Sequence, residues 1–326
     1  MTLKRIFLLL FLSCPILAQE KPVTISGVVF GDYYAAVSHH DPDVEGMNGF
    51  WIRRGYLTFD RALSEQLSAQ LRFEVNQAGD FQTNANLEPY VKDAWVRWRR
   101  SPALEVVAGL SPSPAIVTVE RVWGYRSVER SALDLQRMIN TRDLGLAVLG
   151  AAGRIRYHAQ VGNGAAVGSE TNEGKKVAAS VSLLPTASTL LDVYADHDDR
   201  PGATDRTTVQ LLAALTNERM RAGVQLGRQI REGANDLDVA SLFAVYNLGA
   251  KYSLIGRVDR NFDANPEGER IAYLPFDPAR KSFFFLAGVD WKLHKNLSVI
   301  PNVEYVLYDG AGEDDLFARV TANFTF

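Results

Sequence analysis

The sequence predicts an all-β protein, a transmembrane antiparallel β-barrel of about sixteen strands. Three observations predict it. Segments that alternate apolar and polar residues recur along the chain. The connections between them alternate short and long. No internal apolar run approaches the roughly 18 residues that a helical span needs. The composition, 47% hydrophobic and 22% charged, resembles that of a soluble protein. A barrel wall averages to the same values, because each strand turns one row to lipid and the next to water.

Taken in order, residues 1–18 read as a secretory signal peptide. Lys4 and Arg5 are its basic start, 6–12 its apolar stretch, and Ala18 the small residue for cleavage before Gln19. Ser13-Cys14 loosely resembles a lipid-attachment site, but Pro15 follows directly and the apolar stretch continues. Cys14 is the only cysteine, so a chain beginning at 19 has neither disulfides nor Cys-based metal sites. Losing Lys4 and Arg5 lowers the formal net charge from −3 by two, to −5. Such a balance does not point to nucleic acid.

Residues 19–326 read as one barrel with no linker. Strands are expected over 23–36, 49–61, 67–76, 89–99, 104–110, 143–149, 154–161 and 175–184. The remaining ones are expected over 188–195, 207–217, 220–230, 237–248, 250–261, 282–293, 297–308 and 316–326. The connections 62–66, 101–103, 150–153, 185–187, 218–219, 249 and 294–296 are short. Those at 38–48, 77–88, 111–142, 162–174, 196–206, 231–236, 262–281 and 309–315 are long. A soluble sandwich has no reason to put every long loop at one end. An outer-membrane barrel has short periplasmic turns and long extracellular loops. About sixteen strands also leave an interior wide enough for water.

Single strands show which row faces where. Leu316, Ala318, Val320, Ala322, Phe324 and Phe326 suit lipid, and Arg319, Thr321, Asn323 and Thr325 suit water. Arg154, Arg156, His158 and Gln160 oppose Ile155, Tyr157, Ala159 and Val161 in the same way. Chains that close on such a strand with a terminal aromatic, here Phe326, resemble proteins recognised by the barrel-insertion machinery. Trp51, Trp98, Tyr252, Trp291 and Tyr308 stand near strand ends and are candidates for interfacial girdles.

No catalytic constellation stands out, and no cofactor is expected. His39-His40 beside Asp41 and Asp43 is a metal-like patch, but adjacent histidines in an acidic loop read as solvated, so no metal site is expected. His158 is the candidate base for an alternative reading, an outer-membrane enzyme of the phospholipase type, which needs a nucleophile nearby. The informative feature is arginine. The loop 111–142 carries Arg121, Arg126, Arg130, Arg137 and Arg142 against Glu120, Glu129 and Asp134, and loops of that length are usually functional. Arg54, Arg72, Arg97, Arg99, Arg154, Arg156, Arg221, Arg257 and Arg319 fall on water-facing rows, with Asp60, Glu74, Asp93, Asp259 and Glu304 among them. Excess guanidinium in a narrow lumen concentrates anions; bracing of the wall by Arg–acid pairs is the competing role. Other outer loops are acidic, at 41–45, 196–205 and 309–315. Divalent cations would let them bridge to anionic surface lipid.

The segment Phe50-Trp51-Ile52-Arg53-Arg54-Gly55-Tyr56-Leu57 resembles the second-strand motif of the phosphate-selective porin O and P family. Tyr90-Val91-Lys92-Asp93-Ala94-Trp95-Val96 resembles its next marker. Leu104 to Ser111 fits its strand entering the long loop. Val128-Glu129-Arg130-Ser131 and Thr141-Arg142-Asp143-Leu144-Gly145-Leu146 resemble the loop and its exit, and Val161-Gly162-Asn163-Gly164 a strand–loop junction. The resemblance runs from about residue 50 to about 165. It implies an outer-membrane porin, commonly sixteen-stranded and homotrimeric, contacting outer-membrane lipid and lipopolysaccharide. It also implies that 111–142 folds inward as the constriction loop. The family commonly has a Gln-Phe-Lys-like run before that loop; here Gly109 is followed by Leu110-Ser111-Pro112-Ser113-Pro114. The expected function is therefore passive diffusion of small hydrophilic solutes with mild anion preference, phosphate not being singled out. The expected pore-lining or constriction residues are Arg121, Arg126, Arg130, Arg137, Arg142, Glu129, Arg97, Arg99, Arg154 and Arg156. A closed barrel with a surface-binding or structural role is the third reading.

Overall fold

The structure, a computed structural model, describes residues 22–84 and 86–326. The expected signal peptide, 1–18, lies outside the described residues. Sixteen strands follow one another in chain order. The first eight are β1 (Thr24–Ser38), β2 (Asn48–Ala62), β3 (Leu67–Val75), β4 (Tyr90–Ser101), β5 (Leu104–Pro112), β6 (Arg142–Ala152), β7 (Ile155–Gly162) and β8 (Lys176–Leu183). The others are β9 (Thr189–Asp198), β10 (Arg206–Thr216), β11 (Met220–Arg231), β12 (Leu237–Asn247), β13 (Tyr252–Asn261), β14 (Ser282–His294), β15 (Leu297–Tyr308) and β16 (Asp315–Thr325). Each expected strand is present, with its ends moved by a few residues. Every strand pairs antiparallel with its sequence neighbours, and β1 pairs β16, so the sheet closes and leaves no edge.

The two faces follow from the pleat. Leu57, Leu146, Val193, Leu242, Val303 and Val320 belong to an exposed apolar outer surface, which suits lipid. Trp98, Tyr252, Trp291 and Phe324 stand on it near the short turns, with the Tyr252 and Trp291 rings stacked 6.3 Å apart. Trp51 and Tyr308 depart from the expected girdle and point inward. Trp51 stacks on Tyr34 at 4.1 Å, and Tyr308 is buried and donates to Asp315.

Two β-bulges explain part of this. Phe30 pairs with Arg54 while Gly31 pairs with Ile52, so Arg53 is an extra residue in β2. Both Arg53 and Arg54 then reach the interior, and Trp51 shifts to the inner row. Likewise Arg72 pairs with Asp93 while Phe73 pairs with Val91, so Lys92 is extra in β4. Lys92 and Asp93 are both buried inside.

The strands read individually in the sequence turn a polar row inward. On the far side of the barrel the inner row is partly apolar. Leu212, Val239, Phe243, Val245, Ile255, Phe284 and Leu286 point inward and join one apolar cluster with residues of the loop 113–141. Those strands are apolar inside because a loop, rather than water, covers them.

Candidate functional site

The inner loop leaves β5 at Pro112 and starts a helix at once. Ser113 is the N-cap, extended at φ −69° and ψ 146°, and its hydroxyl accepts from the Ala115 N–H at 3.4 Å. Pro114 occupies the first turn, where its missing N–H costs nothing. Helix α1 (Pro114–Trp123) ends at Gly124, whose φ of 69° is the left-handed conformation that glycine adopts without strain. Ala115, Ile116, Val119, Val122 and Trp123 recur at helical spacing and are buried. This face packs on strands β7 to β12, a stretch of wall that begins beside the loop's own roots on β5 and β6 and runs round to the far side. The Trp123 ring meets Phe243 edge-on at 5.4 Å, and its indole N–H donates to the Glu129 carbonyl at 2.7 Å. A short helix, α2 (Ala132–Leu135), follows and contacts β12. Leu133 fits against Gly227 of β11, where a Cβ would lie 2.6 Å from its methyl groups.

Polar ties hold the same loop. Gln210 donates to the Ala115 carbonyl at 3.2 Å, Gln229 to the Met138 carbonyl at 2.6 Å, and Tyr125 to Asp290 at 2.9 Å. The bulged Arg53 donates to the Val128 carbonyl and to Glu129 at 2.6 and 2.7 Å. Glu129 also accepts from the Arg130 backbone N–H at 2.8 Å and its Nε at 3.1 Å. Burial pushes the Glu129 carboxyl up. Arg53 and Arg130 outweigh that and hold it well below the ordinary carboxylate range.

A second loop also enters. Residues 262–281 bury Ile271, Tyr273, Leu274 and Phe276. Arg130 donates to the Ala272 carbonyl at 2.9 Å, Asn265 to the Gln136 carbonyl at 2.9 Å, and Arg319 to the Tyr273 carbonyl. Beneath it Arg319 is fully buried and paired with Asp32 at 2.7 Å and Glu304 at 2.8 Å. Arg257 is equally buried against Asp259. These inward arginines brace the barrel and do not meet open water.

Basic side chains line the remaining interior. A cavity of about 560 Å³ lies between α1 and strands β1 to β4, lined by Arg72, Lys92, Arg126 and Arg142 against the single carboxylate of Glu120. A smaller one, about 180 Å³, lies on the other flank of α1, lined by Arg121, Arg156 and His158 against Glu105. Arg72 and Arg142 share Asp93 at 3.1 and 2.5 Å, and Lys92 and Arg54 share Glu74 at 2.9 and 3.3 Å. Among the described residues, Arg121 and Arg156 have no ion-pair partner; enclosure by the walls and then the Arg156 charge lower the Arg121 pKa, with Asp192 offsetting at longer range.

The expected site residues therefore fall into four groups. Arg121 and Arg142 face the cavities beside α1. Arg126 also lines the larger one while bridging Glu120 and Asp134, the latter at 2.6 Å. Glu129 is a buried anchor and Arg130 a half-buried one. Arg137 reaches outward, donating to the Arg270 carbonyl at 2.9 Å and lying 3.5 Å from Glu267. Arg97 and Arg99 sit near the short-turn end on Glu105, at 3.5 and 2.7 Å. Arg154 is exposed there and donates to the Pro185 carbonyl at 2.9 Å, with Arg156 nearby on β7. Lys92 and Arg72 complete the large cavity. Lys92 was visible only as part of a motif, because period-two reading cannot register a bulge. Helix α1 was signalled by Ser113-Pro114 and the 115, 116, 119, 122, 123 spacing inside a stretch expected to be loop.

His158 pairs across strands with Ser180. Among the described residues no hydrogen bond joins them, and both line the interior cavity rather than the lipid face. A phospholipid arriving from the bilayer would not meet them.

No protein-family model matches the sequence, and no curated protein does. Solved structures match the whole fold. The anion-selective porin from Comamonas acidovorans superposes with a TM-score of 0.70 at 14% identity, covering 94% of this chain and 99% of that one. Salmonella typhi OmpF in complex with daunomycin gives 0.68 at 13% identity, covering 93% and 97%. A mutant of the Rh. blastica porin gives 0.64 at 13% identity, covering 94% and 100%. The chain thus has the porin-like fold of a closed sixteen-stranded barrel.

Proposed function

We propose that this chain is a bacterial outer-membrane porin that lets small hydrophilic solutes diffuse passively, with a mild preference for anions. The observation that carries the reading is the lining of the two cavities beside α1. Arg72, Arg126, Arg142, Arg121 and Arg156 line them with the buried Lys92 at the wall, and of these Arg121 and Arg156 have no ion-pair partner among the described residues. Cations lining a low-dielectric lumen raise the local anion concentration and the entry rate. The inner loop 111–142 acts as the constriction, since it stands across the interior on β7 to β12. Shared carboxylates at Asp93 and Glu74 keep the net field modest, which supports mild preference over tight binding of one anion. The lysine of the phosphate-selective family's pre-loop run is absent after Gly109, and Lys92 alone brings an ammonium to the cavity. Phosphate therefore passes as one small anion among others. The same reading puts the apolar belt in the outer membrane, the barrel in a homotrimer, and the long loops against lipopolysaccharide.

Liposome swelling tests it. Vesicles carrying the protein should swell in small neutral sugars, and faster in a small organic anion than in a cation of equal size. A second reading is a closed barrel with a surface role, favoured by the inward packing of 262–281 on the inner loop. Absence of swelling in every solute would select it.

A further inference from the structure

The sequence left His39-His40 as a solvated pair in an acidic loop with Asp41 and Asp43. The fold gives them a different carboxylate. Asp315, the first residue of β16, lies beside them at the rim that carries the long loops, where β1 and β16 close the barrel. His40 Nδ1 is 2.9 Å from Asp315 Oδ1, and His39 Nε2 is 3.9 Å from Oδ2. Ligand atoms of all three lie within 4.8 Å of one another. The two imidazole rings stack 4.3 Å apart.

One atom in this cluster lacks an explanation. His39 is 1% exposed, and its Nε2 has no hydrogen-bond partner although it points toward the carboxylate. A buried nitrogen left unpaired is costly, and native folds retain one where something else satisfies it. Its other nitrogen, Nδ1, accepts from the Asp41 N–H at 3.0 Å and lies 3.3 Å from the Asp41 carbonyl. Ligation through Nε2 needs the tautomer with the proton on Nδ1, which exchanges the N–H contact for a bond to that carbonyl, the outer support that metal-bound histidines commonly have.

We propose that His39, His40 and Asp315 form a binding site for a divalent first-row transition-metal ion. Two imidazoles and one carboxylate are the donor set that zinc and its neighbours prefer, while calcium and magnesium favour all-oxygen sites. Bonds of about 2.1 Å hold tetrahedral ligands about 3.4 Å apart, so the side chains must draw together from their present spread. Binding also displaces the contact of His40 Nδ1 with Asp315, while Tyr308 continues to donate to that carboxylate. The bound ion would clamp the exit of β1 to the start of β16 across the barrel seam. Three protein ligands leave a fourth tetrahedral position for a water molecule.

The test uses tag-free protein, folded in detergent micelles and stripped with a chelator. Calorimetric titration with Zn²⁺ should give one ion per chain, unaffected by excess Mg²⁺. His39→Ala and Asp315→Asn should each weaken binding by at least about tenfold, while His197→Ala leaves it unchanged. Heat-dependent gel mobility checks that each variant is folded. Co²⁺ added to the unaltered protein should give the visible absorption of an imidazole-ligated ion, a readout that needs no variant. Zn²⁺ affinity unchanged in folded His39→Ala, or a Co²⁺ spectrum identical to that of the aqueous ion, would overturn the site.

Discussion

Glu129 shows how one residue sets the position of the inner loop. Its carboxylate is buried and takes Arg53 on one side and Arg130 on the other. Glu129→Ala leaves Asp32, at 3.8 Å, as the nearest acid to Arg53 among the described residues. Breaking such a buried pair should cost about 3–5 kcal/mol, read by urea unfolding in micelles; a cost under about 1 kcal/mol would contradict the anchoring role. The pH dependence has a definite sign. The folded pKa of Glu129 lies below the unfolded value of about 4.3, so its contribution is complete above that value and is lost as pH falls through the folded pKa. Current noise from loop motion should therefore be the same at about pH 5 as at about pH 7. Noise that rises across that interval would mean the carboxylate is not held down. The proposed anion preference rests on other residues. The pair Arg121→Ala and Arg156→Ala removes cavity charges that no carboxylate offsets at close range, and should lower the anion-to-cation permeability ratio by about twofold or more. Arg130→Ala should disturb stability and leave that ratio nearly unchanged; the reverse pattern would exchange their roles.

At the scale of elements, the strands were legible because each needs only a period of two and a turn. The outer rows of β7 and β16 came out as read, with Ile155, Val161, Val320 and Phe324 exposed. What was not legible depends on contacts between distant segments. The bulges at Arg53 and Lys92 exist because the neighbouring strands pair around an extra residue, and an isolated strand carries no sign of that. The inward arginines could be assigned to a face, but whether they met water depended on what covers them: the inner loop at Arg257, through Trp123 and the Arg130 carbonyl, and the loop 262–281 at Arg319, through the Tyr273 carbonyl. The apolar inner rows of β12 and β14 make sense only once α1 and that loop lie against them. Trp123 is the keystone of this packing, 1% exposed. Trp123→Ala should cost about 3–5 kcal/mol and raise single-channel conductance, since the loop loses its seat on Phe243. A stable variant with unaltered conductance would mean that the loop is held by its polar ties alone.

The whole molecule divides into two halves around the inner loop. One side, β8 to β16, is packed with apolar side chains and buried ion pairs. The other, β1 to β7, keeps most of its charges beside the cavities. This asymmetry turns a barrel that could be merely plugged into a candidate pore, and it places the cations where solutes would pass. The central claim is thus conduction with anion preference, and a planar bilayer holding the purified protein tests it most directly. In a potassium chloride gradient the account predicts stepwise conducting events and a zero-current potential with the sign of the chloride equilibrium potential. A potential with the sign of potassium, or a membrane with no conducting steps, would contradict it.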